Sequence, residues 1–130
     1  MVVTDLDHMG LQSLIERWAD EESADRRLLV ILENKLSKAR VVKSKDIPSH
    51  TVTMNSKVRL KKKMTGGRLV CTLVYPDEAG SRKRNLSILS DIGMAILGQS
   101  VGDSVEGTSG AEVFLIEAVL FQPEATALNI

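Results

Sequence analysis

The hydrophobic residues of this chain change their period once, on either side of Pro48. Before this proline, apolar residues recur every three or four positions, which is the spacing of one face of an α-helix. After it, apolar and polar residues alternate, as they do in a strand with one buried face. Because proline lacks a backbone N–H and ends helices, the sequence predicts a helical segment followed by a sheet, and hence an α+β chain.

The segment from residue 4 to residue 40 predicts two helices joined by a short turn. The first apolar stripe consists of Leu11, Leu14, Ile15 and Trp18, and the second of Leu28, Leu32, Leu36 and Ala39. Thr4 is a suitable N-cap, and basic residues end the second stripe, where the helix dipole favours positive charge. The acidic run that begins at Asp20 interrupts the apolar pattern. Two amphipathic helices with a short turn pack antiparallel, so we expect a helical hairpin, or short coiled coil.

The alternating part of the chain predicts strands with a single helix among them. Residues 41–50 have the composition of a linker, and a first strand covers 51–61 with Val52, Met54, Ser56, Val58 and Leu60 on one face. The other predicted elements are strands at 69–75, 86–89, 104–108 and 111–121, and a helix at 91–97 that Gly98 closes. The run from Val113 to Phe121 is almost wholly apolar, which is typical of a central strand. This order predicts a mostly antiparallel sheet with one helix on its face.

Charge is distributed unevenly, although the net charge is zero. Residues 1–34 carry eight acidic and three basic side chains, and residues 35–84 carry fourteen basic and three acidic ones. Residues 85–130 carry six acidic side chains and no basic one. This asymmetry favours oriented docking on a charged partner. The alternative interpretation is that solvated faces of the protein simply differ in sign.

Composition and spacing argue against several classes of site. No apolar run approaches the roughly 18–20 residues that span a bilayer, and the first residues lack the pattern of a secretory leader. The single cysteine, Cys71, is expected to face the core and fits a reducing cytoplasm. His8 and His50 are isolated, no metal-ligand spacing occurs, and Gly66-Gly67 lacks the phosphate-loop pattern. We therefore expect a cytoplasmic protein that is not an enzyme and holds no metal or cofactor.

Several separated blocks between residues 46 and 125 share one resemblance. They are Ile47–Val58, Thr72–Ala79, Leu86–Ser90, Ala95–Gly98, Val101–Asp103 and Phe121–Ala125. In this order and spacing they resemble the C-terminal domain of the bacterial GreA/GreB transcription factors, in particular the short-armed Rnk branch of that family. The resemblance implies a short coiled-coil arm over residues 1–44 and an FKBP-like domain over residues 45–130.

The same resemblance implies docking on RNA polymerase at the rim of its secondary channel. The docking surface of the family lies at the strand-to-helix corner after the third strand, here Ser90, Asp91 and Ile92. We add Asp77 and Glu78 to this surface, and we expect the polar pair Ser90-Asp91 to be exposed. Asp91 stands where many relatives have proline, so the corner is not carried over residue by residue. The implied function is a transcription regulator that competes with longer-armed factors and has no chemistry of its own.

The predicted arm tip carries four acidic residues, Asp20, Glu21, Glu22 and Asp25. In the cleavage-promoting members of the family, acidic residues at the tip help to hold Mg²⁺ in the polymerase active site, and carboxylates suit this ion. Helices of about 15 residues are about 22 Å long at 1.5 Å per residue, so this arm is far shorter than that of a cleavage factor. Stimulation of transcript cleavage is the alternative function. A purely structural interpretation of these four residues is that they form an acidic turn beside the start of a helix.

The sequence also bears on other kinds of function. Prolyl isomerase activity needs an aromatic-lined pocket, whereas Tyr75, Phe114 and Phe121 are better explained by core or edge packing. An FKBP-like interaction module with another partner is a third alternative. The basic runs at 61–63 and 82–84 lack interleaved aromatic residues, which favours solvated loops. We expect no sequence-specific contact with nucleic acid.

Overall fold

A computed structural model describes residues 1–20, 26–107, 110 and 112–126. Within these residues the elements are, in chain order, β1 (Val2–Thr4), α1 (Asp5–Trp18), α2 (Arg26–Lys38), β2 (Arg40–Val42), β3 (Lys57–Lys62), β4 (Arg68–Val74), β5 (Asn85–Ser87), α3 (Asp91–Ile96), β6 (Ser104–Glu106), β7 (Val113–Phe121) and α4 (Pro123–Thr126). Single turns of 3-10 helix cover Ser44–Asp46 and Pro76–Glu78. The predicted α+β class is confirmed.

Helices α1 and α2 each bury one apolar face. The Thr4 hydroxyl caps α1, because its Oγ1 accepts a hydrogen bond of 3.0 Å from the amide of Asp7. The buried residues are Leu11, Leu14 and Ile15 in α1, and Leu29, Leu32 and Leu36 in α2. Leu28 and Ala39 are only half-buried, so the buried face of α2 is rotated towards Leu29 relative to the predicted stripe. Residues 21–25, which connect the two helices, lie outside the described residues.

A short parallel pair of strands, β1 and β2, joins the two ends of the helical segment. Val2 pairs with Arg40, and the register continues to the end of each strand. The sequence does not predict this pair, because residues 41–50 have a linker composition and strands this short have no usable periodicity. The amide of Val2 also donates to the carbonyl of Gly98 at 3.1 Å. The base of the helical segment is therefore attached to the end of α3.

The other strands form one five-stranded sheet in the order β5-β4-β3-β7-β6. Strand β5 runs parallel to β4, and the remaining neighbours are antiparallel, as predicted for most of the sheet. The apolar strand β7 lies inside the sheet, and β5 and β6 are its two edges. Helix α3 contacts both edge strands, so the sheet curls around this helix.

The strand predicted at 51–61 begins only at Lys57, so this prediction is wrong in its first half. Residues 51–54 are all buried regardless of their parity, and Asn55 has a φ of +67°. Asparagine enters this left-handed region more readily than other residues with a side chain, and it interrupts the extended backbone. The amide of Ser56 donates to the carbonyl of Thr53 at 3.1 Å, which closes a turn before β3.

The buried side chains of the helices and the sheet form one continuous core. It includes Val3, Leu11, Leu14, Ile15, Leu32 and Leu36 from the helical segment, and Val58, Leu60, Leu73, Ile88, Met94, Ile96, Phe114 and Ile116 from the rest. A hydrogen bond crosses the same boundary, because the amide of Met54 donates to Asp7 Oδ2 at 3.0 Å. The division at residue 44 stays a prediction, and separating the two parts would expose this shared core.

Candidate docking surface at the β5–α3 corner

The side chain of Ser90 holds the corner between β5 and α3. Its Oγ accepts a hydrogen bond of 3.1 Å from the amide of Gly93 and donates one of 2.6 Å to the carbonyl of Ser87. Ser90 is thus the N-cap of α3 and satisfies one of the free amides at the helix start. The residue is half-buried, so the expectation of an exposed serine is wrong. A serine directly before a helical run is the sequence signal that indicates an N-cap here.

Asp91 packs across the sheet to its far edge. It is the first residue of α3, where negative charge is favourable, and it is half-buried where we expected exposure. Its carboxylate lies so close to Gly107, directly after β6, that a Cβ at position 107 would collide with it. Ile92 is half-buried and packs against the core. Residues 90–92 therefore form the framework of the corner, and only part of their surface is available to a partner.

Asp77 and Glu78 lie in the single helical turn after β4, and both are exposed. This turn contacts β5, the strand that leads into the corner. The Arg17 guanidinium, in the last turn of α1, lies 3.5 Å from the carboxylate of Asp77. Both side chains are more than half exposed, so this ion pair contributes at most about 1 kcal/mol. The structure thus places Asp77, Glu78 and the end of α1 near β5, the strand that leads into the corner, whereas the carboxylate of Asp91 lies against the end of β6.

Of the four acidic residues predicted at the arm tip, the structure describes only Asp20, which is exposed. Glu21, Glu22 and Asp25 lie outside the described residues, and their arrangement stays a prediction. In the part of the chain that is described, no group of three or more His, Cys, Asp or Glu side chains could hold a metal ion. The roles proposed below for the tip carboxylates therefore rest on their positions in the sequence.

A partly buried polar cluster lies where α1, α4 and the turn before β3 meet. Asp7 accepts the hydrogen bond from Met54, and Thr53 Oγ1 donates to Glu124 Oε1 at 2.7 Å. Burial raises the pKa of Asp7 to about 6, and the negative charge of Glu124 adds to this rise. Burial, with the nearby charge of Asp7, also raises the pKa of Tyr75 to about 12. No local pattern in the sequence connects Asp7 to Glu124.

Two further features bear on the class of protein. Cys71 is buried as predicted, and burial raises the pKa of its thiol to about 11. Because the thiolate is the reactive form, this cysteine is a poor nucleophile. Within the described ranges, no helix has both the length and the apolar character needed to cross a membrane.

Comparison with known proteins identifies the family. Residues 47–119, more than half of the chain, match the family described as "Transcription elongation factor, GreA/GreB, C-term". This chain therefore belongs to the GreA/GreB family. It is similar over nearly its whole length to the Regulator of nucleoside diphosphate kinase of Escherichia coli, with 32% identity over 128 residues that cover 96% of this chain and 92% of that protein. It is also 33% identical to the transcription elongation factor GreA of Amoebophilus asiaticus, over 78% of this chain and 65% of that factor.

Solved structures show the same relationship at the level of the fold. The chain is similar to a prokaryotic transcription elongation factor GreA/GreB from Nitrosomonas europaea, with a TM-score of 0.74 and 31% identity. The similarity covers 93% of this chain and 98% of that one. GreA factor homolog 1 of Thermus thermophilus is 19% identical with a TM-score of 0.50, and this shows a common fold only. The helices and the sheet together thus correspond to a known GreA/GreB structure.

Proposed function

We propose that this protein is a transcription regulator that binds RNA polymerase near its secondary channel and competes there with longer-armed Gre factors. Membership of the GreA/GreB family supports the association with transcription. Competition without cleavage rests on one observation, namely that the family's C-terminal part is combined in this chain with two short helices. Helix α1 has 14 residues and α2 has 13.

The proposed docking surface is the sheet edge formed by β5, the corner at residues 90–92 and the turn with Asp77 and Glu78. The capping bonds of Ser90 make the corner a firm support, which lowers the cost of ordering it in a complex. Asp77 and Glu78 present exposed negative charge beside this support. They suit a basic surface on the partner, because complementary charge orients docking and raises its rate.

We take α1 and α2 to form a short antiparallel coiled-coil arm on an FKBP-like domain, with the boundary after residue 44. At 1.5 Å per residue, the 14 residues of α1 are about 21 Å long. An arm of this length, anchored at the rim of the channel, stops short of the catalytic metal although its tip carries carboxylates. The protein therefore occupies the docking site of a cleavage factor without assisting cleavage.

A pair of matched charge reversals tests the docking surface. Glu78→Arg changes an exposed residue of the proposed surface, and Asp46→Arg changes an exposed residue of the 3-10 turn Ser44–Asp46, which contacts α4 and lies outside that surface. Reversing a charge at the docking edge should weaken binding to purified RNA polymerase by about tenfold or more, which is at least 1.4 kcal/mol. The Asp46 variant should bind within about twofold of the unmodified protein. Equal effects of the two variants would exclude this edge as the docking surface.

A cleavage assay separates the proposed function from its alternatives. Excess protein should inhibit GreA-stimulated cleavage in stalled transcription complexes and should produce no cleavage by itself. Cleavage by this protein alone, abolished when Asp20, Glu21, Glu22 and Asp25 are changed to alanine, would instead establish a cleavage factor. If purified polymerase is not bound at all, the third alternative applies, namely an interaction module with another partner.

A further inference from the structure

A basic cleft lies beside β3 and β4, on the face of the sheet that carries Lys57 and Thr72. Its floor is formed by β3 and β4, where Lys57 is paired with Thr72. Its wall is the loop before β5, which contributes Arg82 and Arg84. The cavity measures about 250 Å³, and its other lining residues are Val70, Cys71 and Asn85. Three cationic residues therefore line one concave site.

The loop that carries the two arginines is held in place by hydrogen bonds. The Asn85 side-chain amide donates to the carbonyl of Glu78 at 2.9 Å and to Ser81 Oγ at 3.2 Å. The carbonyl of Arg82 accepts from the amide of Asn85 at 3.2 Å, and that of Arg84 accepts from the amide of Thr72 at 3.1 Å. The backbone on both sides of the cleft is thus fixed before any ligand binds, which reduces the entropy cost of binding.

The positive charge of the cleft is not neutralised by the described residues. No carboxylate lines the cavity, and within the described ranges Lys57, Arg82 and Arg84 form no ion pair. Elsewhere on the same face, Arg59 and Arg68 both donate to Glu117 Oε1, at 2.5 Å and 2.8 Å. Charge on this face is therefore compensated outside the cleft and left uncompensated inside it.

We propose that this cleft binds a phosphate group. Arginine presents a planar fork that matches phosphate oxygens, and lysine adds a compact charge, so the three cations suit a tetrahedral anion. The volume is below the range of about 300–1,000 Å³ that is usual for drug-sized ligands, which favours a phosphate or pyrophosphate moiety over a whole cofactor. No aromatic residue lines the cavity, so a nucleobase would have no stacking partner there. The phosphate comes either from a free phosphorylated molecule or from a nucleic-acid backbone.

Inorganic pyrophosphate and a fluorescent single-stranded oligonucleotide are the two probes, both titrated into the full-length protein at low salt. Saturable binding should perturb the backbone amides of Thr72 and Asn85 in nuclear magnetic resonance spectra. If pyrophosphate binds and the oligonucleotide does not displace it, the natural source is a free phosphorylated molecule. If the oligonucleotide binds more tightly and displaces pyrophosphate, the source is a nucleic acid. Both outcomes support the cleft, and binding of neither probe overturns it.

Two variants with equal charge changes assign the binding to the cleft. Arg82→Glu with Arg84→Glu should weaken binding of the preferred probe by about tenfold or more, because two donors to the phosphate are lost and two negative charges repel it. Lys61→Glu with Lys63→Glu alters the far end of β3 by the same charge and should have an effect of about twofold or less. Equal loss in both variants, or equal binding of an oligoglutamate peptide, would show attraction to net charge only and refute a phosphate site. Thermal unfolding of each variant confirms that it is folded. The titrations contain no polymerase, so failure of the phosphate site and failure of the docking proposal are distinguishable.

Discussion

The ammonium group of Lys35 in α2 donates a hydrogen bond of 2.5 Å to the carbonyl oxygen of Met94 in α3. Burial lowers the pKa of Lys35, yet the residue is placed where a helix end favours positive charge. The last carbonyls of a helix have no partner within it, so this bond satisfies one of them. The helix beside the proposed docking corner is thereby joined to the helical segment.

Replacing Lys35 by methionine should remove this bond while keeping most of the apolar contacts of the side chain. The free energy of unfolding should fall by about 1–3 kcal/mol, because a buried carbonyl loses its partner. Urea unfolding measures this loss, and faster amide hydrogen exchange in α3 would locate it. Lys38→Met, at an exposed position of α2, is the control and should change stability by less than about 0.5 kcal/mol. Equal losses in the two variants would contradict a specific role for the bond.

The carboxyl group of Asp7 should make stability depend on pH in the mildly acidic range. Its pKa is raised from 3.8 to about 6 in the folded protein, so the folded state holds its proton more tightly than the unfolded state. The stability associated with this proton is fully present below pH 3.8 and is lost as the pH rises through about 6. Asp7→Asn keeps an acceptor for the amide of Met54 and should be more stable than the unmodified protein at pH 7, by roughly 2–3 kcal/mol.

Unfolding curves from pH 4 to pH 8 test this expectation. The advantage of Asp7→Asn should grow up to about pH 6 and then become constant. Glu124→Gln, which removes the neighbouring negative charge, should lower the pKa of Asp7 in carboxyl-carbon nuclear magnetic resonance titrations. A variant Asp7→Asn that is less stable than the parent at every pH would show that the ionised carboxylate is required.

Gly10 in α1 permits the close approach of Tyr75, whose hydroxyl would collide with a Cβ at position 10. In an open helix, glycine to alanine adds up to about 1 kcal/mol of stability. Here Gly10→Ala should instead destabilise the protein by about 1–3 kcal/mol, because the half-buried ring of Tyr75 packs against the core and moving it aside disturbs that packing. Tyr75→Phe removes the colliding oxygen, so the same alanine should be neutral or stabilising in that background. A double-mutant cycle measured by urea unfolding tests this reversal, and two identical effects would contradict it.

The fragment 45–130 tests the proposed division of the chain. It contains every strand of the five-stranded sheet, so it should keep a cooperative sheet signal in circular dichroism. It lacks Leu11, Leu14, Leu32 and Leu36, which cover part of the core, so it should unfold at a clearly lower urea concentration than the whole protein. A fragment without cooperative unfolding would refute an independent second part. Unchanged stability would show that the helical segment does not stabilise the sheet.

Local periodicity was sufficient to predict α1, α2, α3 and the strands of the five-stranded sheet, because each has a pattern of its own, whereas the single turn of α4 was not predicted. It failed where the decisive partner is distant in sequence. The pairing of Val2 with Arg40 and the approach of Glu124 to Asp7 have no local signal. At the corner, the polar pair Ser90-Asp91 was expected to be exposed, whereas the hydroxyl of Ser90 is bonded within the corner itself. The basic run at 82–84 predicted a solvated loop, because sequence alone cannot show that the carbonyl of Arg84 accepts a hydrogen bond from Thr72 and holds this loop beside β4.

The parallel pairing of β1 with β2 has a consequence for how such a protein can change. Because these strands lie side by side, the chain enters and leaves the helical segment at one fixed joint. Matched insertions of whole turns at the far ends of α1 and α2 would lengthen the segment without displacing that joint or the sheet. The length of the helical segment and its attachment to the sheet are therefore separable properties of this architecture. A family built on it can vary the length while it preserves the attachment.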